Sequence, residues 1–182
     1  MLYVIIGKTC SGKTVIVEKL KEHGLKKVVT YTTRPMRKGE VNGIDYHFIS
    51  EDEFKRKIDE LFFMEYKTYQ TINGEWYYGT SFESLENTSN EDYAIILTPN
   101  GYMDLLNHSS AKHKSFYIYA NNATIMKRLK KRKDLNDSPE RRLENDNKDF
   151  KGLENMVDKI VFNNEEHDIK EVVNKILEYM EK

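Results

Sequence analysis

Eight residues near the start of the chain, Gly7-Lys8-Thr9-Cys10-Ser11-Gly12-Lys13-Thr14, fill the pattern G-x-x-x-x-G-K-[ST] at every fixed position. Leu2-Tyr3-Val4-Ile5-Ile6 lead into them with the β-branched, apolar bias of a buried strand. Behind them Val15, Ile16, Val17 and Leu20 interleave with Glu18, Lys19, Lys21 and Glu22, the pattern of an amphipathic helix. Strand, glycine-bearing loop and helix in that order make a phosphate site. Backbone N–H groups of the loop and of the helix start point at anionic oxygens, and Lys13 adds a full charge. Residues Gly7 to Thr14 are therefore candidate ligands of a nucleoside triphosphate such as ATP. The Thr14 hydroxyl is the candidate ligand of a magnesium ion bridging the phosphates. A chance glycine-rich turn is the competing reading, and the flanking strand and helix tell against it.

A chain of 182 residues suits one domain with inserted subdomains and can bury a sizeable core. Lysine and arginine total 29 against 30 acids, so no overall field recruits nucleic acid or an anionic membrane. Cys10 is the single cysteine, which rules out an internal disulfide and fits a reducing, cytoplasmic compartment. The first apolar run is five residues long, too short for a secretory signal or a membrane helix. Arginine placement says more than net charge. Of seven arginines, six fall in two places: Arg34 and Arg37, then Arg128, Arg132, Arg141 and Arg142. Arginine's planar fork binds phosphate oxygens in pairs, so each group is a candidate phosphate contact. Two ordinary solvated faces are the alternative.

Lys26 to Thr30 reads as a second strand, with Val28 and Val29 as its apolar part. The connection Tyr31 to Phe48 that follows is long, polar and punctuated by Pro35, Gly39 and Gly43, as functional loops often are. Its run TTRPMRKGEVNGIDYHF resembles the signature of the guanylate kinase family, and the resemblance covers essentially the whole chain. The resemblance implies an α/β, P-loop NTPase fold: a parallel core sheet covered by helices, an inserted small α+β GMP-binding subdomain, and a helical lid. The core would span about 1–30, 93–126 and 153–182, the GMP-binding subdomain about 31–88 and the lid about 127–152. Arg34, Arg37 and Tyr46 would then contact the monophosphate of GMP, and Thr30 stands where the family has a base-contacting serine.

Ser50-Glu51-Asp52-Glu53 is a capping-box pattern opening a helix on Phe54, Ile58 and Leu61. Phe62 to Tyr69 and Trp76 to Gly79 read as paired strands, with Asn73-Gly74 as a hairpin signal between them. Glu65 lies inside the first of these strands, and by resemblance it reads guanine. One carboxylate accepts from both N1–H and the 2-amino group of guanine, whereas the bare N1 of adenine would face it unfavourably. A glutamate on a half-exposed strand is the alternative. Tyr78-Gly79-Thr80 matches the family's tyrosine-glycine-hydroxyl run, with Tyr78 aimed at phosphate and Thr80 near the base.

Tyr93 to Leu97 and Ser115 to Tyr119 are two more apolar strands alternating with helical stretches, the pattern of a parallel sheet covered on both faces. Ala123 to Lys133 reads as a helix with Ile125, Met126 and Leu129 inward. Its basic end, Lys127 to Lys133, has the look of a nucleic-acid patch, and the helix dipole is the alternative account. Residues 134–137 are loop-like, and Ser138-Pro139 caps a helix carrying Arg141 and Arg142. By resemblance, Arg132 and Arg142 are the lid's catalytic arginines, beside Lys13. Arg128 would contact ATP, and Asn163, after the strand 158–162, would lie at the adenine-side loop. Asp168 to Met180 spaces its apolar residues as a helix packed on the sheet. The five histidines show no metal-ligand spacing.

One stretch departs from the family. The strand ending at Leu97 leads into Thr98-Pro99-Asn100-Gly101, where the family carries aspartates for magnesium and the guanine amino group. Thr98 takes that place as a candidate GMP contact without charge. The expected activity is transfer of the γ-phosphate of ATP to GMP or dGMP with Mg2+. A P-loop kinase of another phosphorylated acceptor and a non-catalytic guanylate-kinase-like binding module are the other readings.

Overall fold

The computed structural model describes residues 1–71, 74–86, 91–132 and 138–181, with Thr71 and Arg132 described by backbone alone. Strand β1 (Leu2–Ile6) is buried along its whole length and lies at the middle of a five-stranded sheet. Its neighbours are β7 (Tyr93–Leu97) and β8 (His113–Tyr119), with β2 (Lys26–Lys27) and β9 (Lys159–Phe162) at the edges. Every pairing in this sheet is parallel. Because side chains alternate across a strand, Leu2, Val4 and Ile6 enter one apolar cluster while Tyr3 and Ile5 enter another. Helices α1 (Lys13–Lys21) and α7 (Ile169–Met180) cover the second face through Ile16, Val17, Leu20, Val172, Val173 and Ile176. Helix α4 (Pro99–His108) covers the first face with Tyr102 and Leu105. Val15, expected on the buried stripe, is 53% exposed, since the helix presents only Ile16, Val17 and Leu20 to the sheet.

The second strand is shorter than its sequence suggests. β2 stops at Lys27, and one further bond, from Val28 N–H to the Ala94 carbonyl, keeps it on β7. The chain then leaves for a second sheet of order β4-β3-β6-β5, built from β3 (Tyr31–Thr32), β4 (His47–Phe48), β5 (Phe63–Thr71) and β6 (Gly74–Ser81). Val28 is buried, but its apolarity serves the core beside the crossing point rather than a long strand. Helix α2 (Glu51–Asp59) closes one face of the small sheet, with Phe54 stacked on Phe63 at 4.3 Å between ring centroids. Ser50 caps it by accepting from Glu53 N–H at 3.1 Å. Gly79 fits here because a Cβ would stand 2.9 Å from the rings of Phe54 and Phe63. Thr71 and Gly74 pair across the hairpin, while the expected turn residue Asn73 lies outside the described residues. Short helix α3 (Glu83–Glu86) returns the chain to the core.

Helices α5 (Asn122–Arg132) and α6 (Pro139–Asp149) stand beyond β8, joined through residues 133–137, which lie outside the described ones. No helix among the described residues is long and apolar enough to cross a membrane. Strands β8 and β9 are tied by a polar knot: the Asp158 carboxylate accepts from the Ser115 N–H at 2.7 Å and its hydroxyl at 2.8 Å. Tyr102 O–H donates to the same serine oxygen at 3.0 Å, so the knot also holds α4. Ser115 is fully buried. Asp158→Ala would strand its N–H and hydroxyl, and should cost about 1–3 kcal/mol in denaturant melts, with Asp158→Asn retaining part of the loss.

Candidate active site

The loop Gly7–Thr14 sits at the carboxyl end of β1, where open parallel sheets present their ligand sites. Gly12 takes φ 101 at the N-cap of α1, a left-handed geometry that glycine adopts freely. Asn163 donates Nδ2–H to the Ser11 carbonyl at 2.8 Å, and any Cβ on Gly12 would lie 2.3 Å from that nitrogen. Asn163 thus fixes the loop through its amide. Cys10 holds φ 53, a costly conformation for a side-chain-bearing residue, and packs against the cluster of Ala120, Ile125 and Leu129. Its carbonyl accepts from Arg128 Nη1 at 3.2 Å, which brings that arginine to the loop. The Ser11 hydroxyl is buried with no hydrogen-bond partner among the described residues. Lys13 Nζ folds back over the loop, donating to the carbonyls of Gly7 at 2.6 Å and Lys8 at 2.8 Å.

Helix α6 lies against the loop. Ser138 caps it through Arg141 N–H, and Leu143 packs on the cluster that holds Cys10. Arg142 lies one turn before Asp146 and shares its face. Asp146 accepts from Thr9 N–H at 2.6 Å, and Asn147 accepts from Lys8 Nζ at 2.5 Å. Burial pushes the Asp146 carboxyl up, against the pull of Thr9 N–H and Lys13. One turn on, Asp149 pairs with Lys67 of β5 at 3.1 Å, so α6 touches both the loop and the small sheet. Sequence reasoning weighed the arginines of this helix and passed over its acids, although the i, i+3 spacing of Asp146 and Asp149 signals a shared face. The side chain of Arg132 lies outside the described residues.

The small sheet gathers a second polar cluster. Arg34 is 4% exposed and meets Glu40 in a bidentate pair, at 2.7 and 3.0 Å. Glu40 also accepts from Arg37 N–H at 2.7 Å, and its carboxyl stays below the ordinary range: burial opposes this, but Arg34 and Arg37 outweigh it. The Arg34 guanidinium lies 5.6 Å from the Tyr46 ring centre, and the Tyr46 and Tyr78 rings are 6.1 Å apart. Burial raises both phenols. Arg34, Tyr46 and Tyr78 therefore come together as the sequence suggested, whereas Arg37 presents an exposed side chain at the rim. Glu40 and Tyr69 are the members that sequence reasoning missed. Tyr69 packs on Tyr78 at 5.6 Å, and burial together with Asp146 pushes its phenol up. Thr30 joins through its carbonyl, which accepts from His47 N–H at 2.8 Å.

Deeper in the same sheet Glu65 stands opposite Thr80 and accepts its hydroxyl hydrogen at 2.6 Å. Burial raises the Glu65 carboxyl above the usual range. The start of α4 covers it so closely that a Cβ on Gly101 would lie 3.0 Å from Glu65 Oε2. Thr98 caps that helix by accepting from Gly101 N–H at 3.1 Å, so its hydroxyl oxygen is engaged in the fold. For a hard cation the donors are few: the Thr14 hydroxyl, exposed on the first turn of α1, with no carboxylate from Thr98-Pro99-Asn100. This set fits magnesium that keeps its waters and binds mainly phosphate oxygens. Helix α6 touches both regions, the phosphate loop through Asp146 and the small sheet through Asp149.

A sequence model of one family, described as guanylate kinase, matches residues 1–182. The guanylate kinase of Fusobacterium nucleatum is 30% identical over 184 residues, covering 99% of this chain and 95% of that protein. The guanylate kinase of Neisseria gonorrhoeae is 39% identical over 98 residues, 53% of this chain, and the match spans just 46% of the relative. A crystal structure of guanylate kinase from Anaplasma phagocytophilum superposes with TM-score 0.73 at 21% identity, covering 100% of this chain and 84% of that one, a likeness of fold.

Glu40→Ala would leave the buried Arg34 without its acid and should cost about 3 kcal/mol. The depressed Glu40 carboxyl gives a matching pH signature. The pair's stabilisation should be complete above the ordinary carboxylate pKa and vanish as pH falls through the lower folded value. Melts of wild type and variant should converge in acid.

Proposed function

The chain belongs to the guanylate kinase family, and on that footing we propose that it moves the γ-phosphoryl group of ATP to GMP or dGMP. The observation that carries this reading is Glu65, a half-buried carboxylate paired to Thr80 and roofed by Gly101, in a chain whose phosphate loop is intact. Its free lone pairs suit the N1–H and 2-amino hydrogens of guanine. In this reading the core spans about 1–30, 93–126 and 153–182, residues about 31–88 bind GMP, and about 127–152 form the lid. The lone cysteine fits action in the cytoplasm.

ATP would enter with its phosphates over residues 7–14, received by loop N–H groups and by Lys13 once its ammonium turns from the Gly7 and Lys8 carbonyls. Thr14 would hold magnesium, which when bound neutralises charge between the β- and γ-phosphates. The GMP phosphate would meet Arg34, Arg37, Tyr46 and Tyr78, with Thr30, Thr80 and Thr98 around the base. Transfer is direct and in line, with no covalent intermediate, because this chemistry is mainly positioning and charge neutralisation. Arg142 and Arg132 would spread the growing charge on the transferred group, while the closed lid excludes water as a rival acceptor.

Lys13→Ala should remove most turnover without unfolding the protein, since its charge gains value as the transition state forms. Near-normal turnover would overturn the loop assignment. Glu65→Gln should weaken GMP use by about 1–3 kcal/mol and leave any AMP use unchanged; equal losses would make Glu65 structural. Because its carboxyl is raised, the KM for GMP should climb on acidification before ordinary carboxylates titrate. Thr98→Asp keeps a capping oxygen and restores charge. It should lower the magnesium requirement and widen the preference for GMP over IMP, and if neither moves, Thr98 does not stand in for the family aspartate.

A further inference from the structure

Two adjacent residues of α6 take up two donors of the phosphate loop. The Asp146 carboxylate receives Thr9 N–H at 2.6 Å, and the Asn147 carbonyl receives Lys8 Nζ at 2.5 Å. We propose that Asp146 and Asn147 act as a stand-in for the donor's phosphate on the loop, so that ATP must displace α6 before it can bind. This rests on the reading of the loop as the ATP site.

A backbone N–H carries one hydrogen, and at 2.6 Å the Asp146 oxygen has the short contact typical of a charged acceptor. A phosphate oxygen on Thr9 N–H and this carboxylate exclude each other, by geometry and by like charge. Lys8 is in the same position, since its ammonium faces Asn147 with Asp146 and Glu154 nearby. The helix is seated from both sides. Leu143 packs on the cluster around Cys10, and Asp149 holds Lys67 of the small sheet at 3.1 Å. Opening the loop therefore separates α6 from the core and also from the sheet assigned to GMP. A protein whose competent state is populated only in part binds with affinity reduced by that fraction. Asp146 and Asn147 would thus set the apparent affinity for the donor, and do so through the rate of association.

The test is stopped-flow binding of a fluorescent N-methylanthraniloyl ATP, with magnesium and without GMP. It compares wild type with Asp146→Ala/Asn147→Ala and with Asn147→Ala alone, each checked for an unchanged melting profile. The double variant should associate about tenfold faster, the factor expected when a latch closed nine-tenths of the time is removed, with its dissociation rate unchanged. Asn147→Ala alters no charge and should show a smaller rise of the same sign, which separates occupancy of the loop from simple repulsion. Unchanged association in the double variant, a rise confined to it, or weaker binding would overturn the proposal. Failure of the wild type and of both variants to bind the analogue would instead overturn the assignment of the loop to ATP.

Discussion

The hydrogen bond from Asn163 to the Ser11 carbonyl, 2.8 Å long and fully enclosed, is the contact on which the site's geometry depends. It pins the loop to the end of β9 and leaves room at position 12 for glycine alone. With Gly12 left-handed, α1 begins where the loop amides converge and Lys13 can reach over them. Arg128 holds the same loop from α5 through the Cys10 carbonyl, and Asp146 holds it from α6 through Thr9 N–H. Three elements far apart in sequence therefore fix eight residues, and the cost of Cys10 at φ 53 is borne by this surrounding structure.

Below the loop, β1 divides the core into two faces, and each face serves the chemistry differently. The face with α1 and α7 holds the loop's own helix. The face with α4 sets the start of that helix over Glu65, which is how a core element comes to shape the pocket of the small sheet. The Glu65 carboxylate thus lies half-buried between the small sheet and the start of α4, where burial raises its pKa and Thr80 donates its hydroxyl to it. A carboxylate in such surroundings discriminates sharply, because an acceptor left facing another acceptor cannot turn to water.

Local chemistry made much of this legible. The strand-loop-helix unit, the caps at Ser50 and Ser138, and the apolar spacing of α7 are all dictated within a few residues, and they stand where the sequence suggested. The meeting of Arg34, Tyr46 and Tyr78 was legible through the family signature alone. What escaped depends on partners distant in the chain. The strand expected over Lys26–Thr30 breaks off because Tyr31 is drawn into a second sheet against β6. Glu40 takes its place only through Arg34 buried against it, and Asp146 only through the seating of α6 on the loop. Asn163, placed at the adenine-side loop by resemblance, also ties the phosphate loop through its amide, a bond to a residue far away in the chain.

The central proposal is that phosphate passes from ATP held on the loop to a guanine nucleotide held at Glu65. The most direct measurement is coupled ADP release with ATP and magnesium against GMP, dGMP, IMP, AMP and CMP at equal concentration. The account predicts rapid turnover with GMP or dGMP, a reduced rate with IMP, and AMP and CMP near background. Turnover led by AMP or CMP, or no acceptor-dependent ADP release with any of the five, would contradict it.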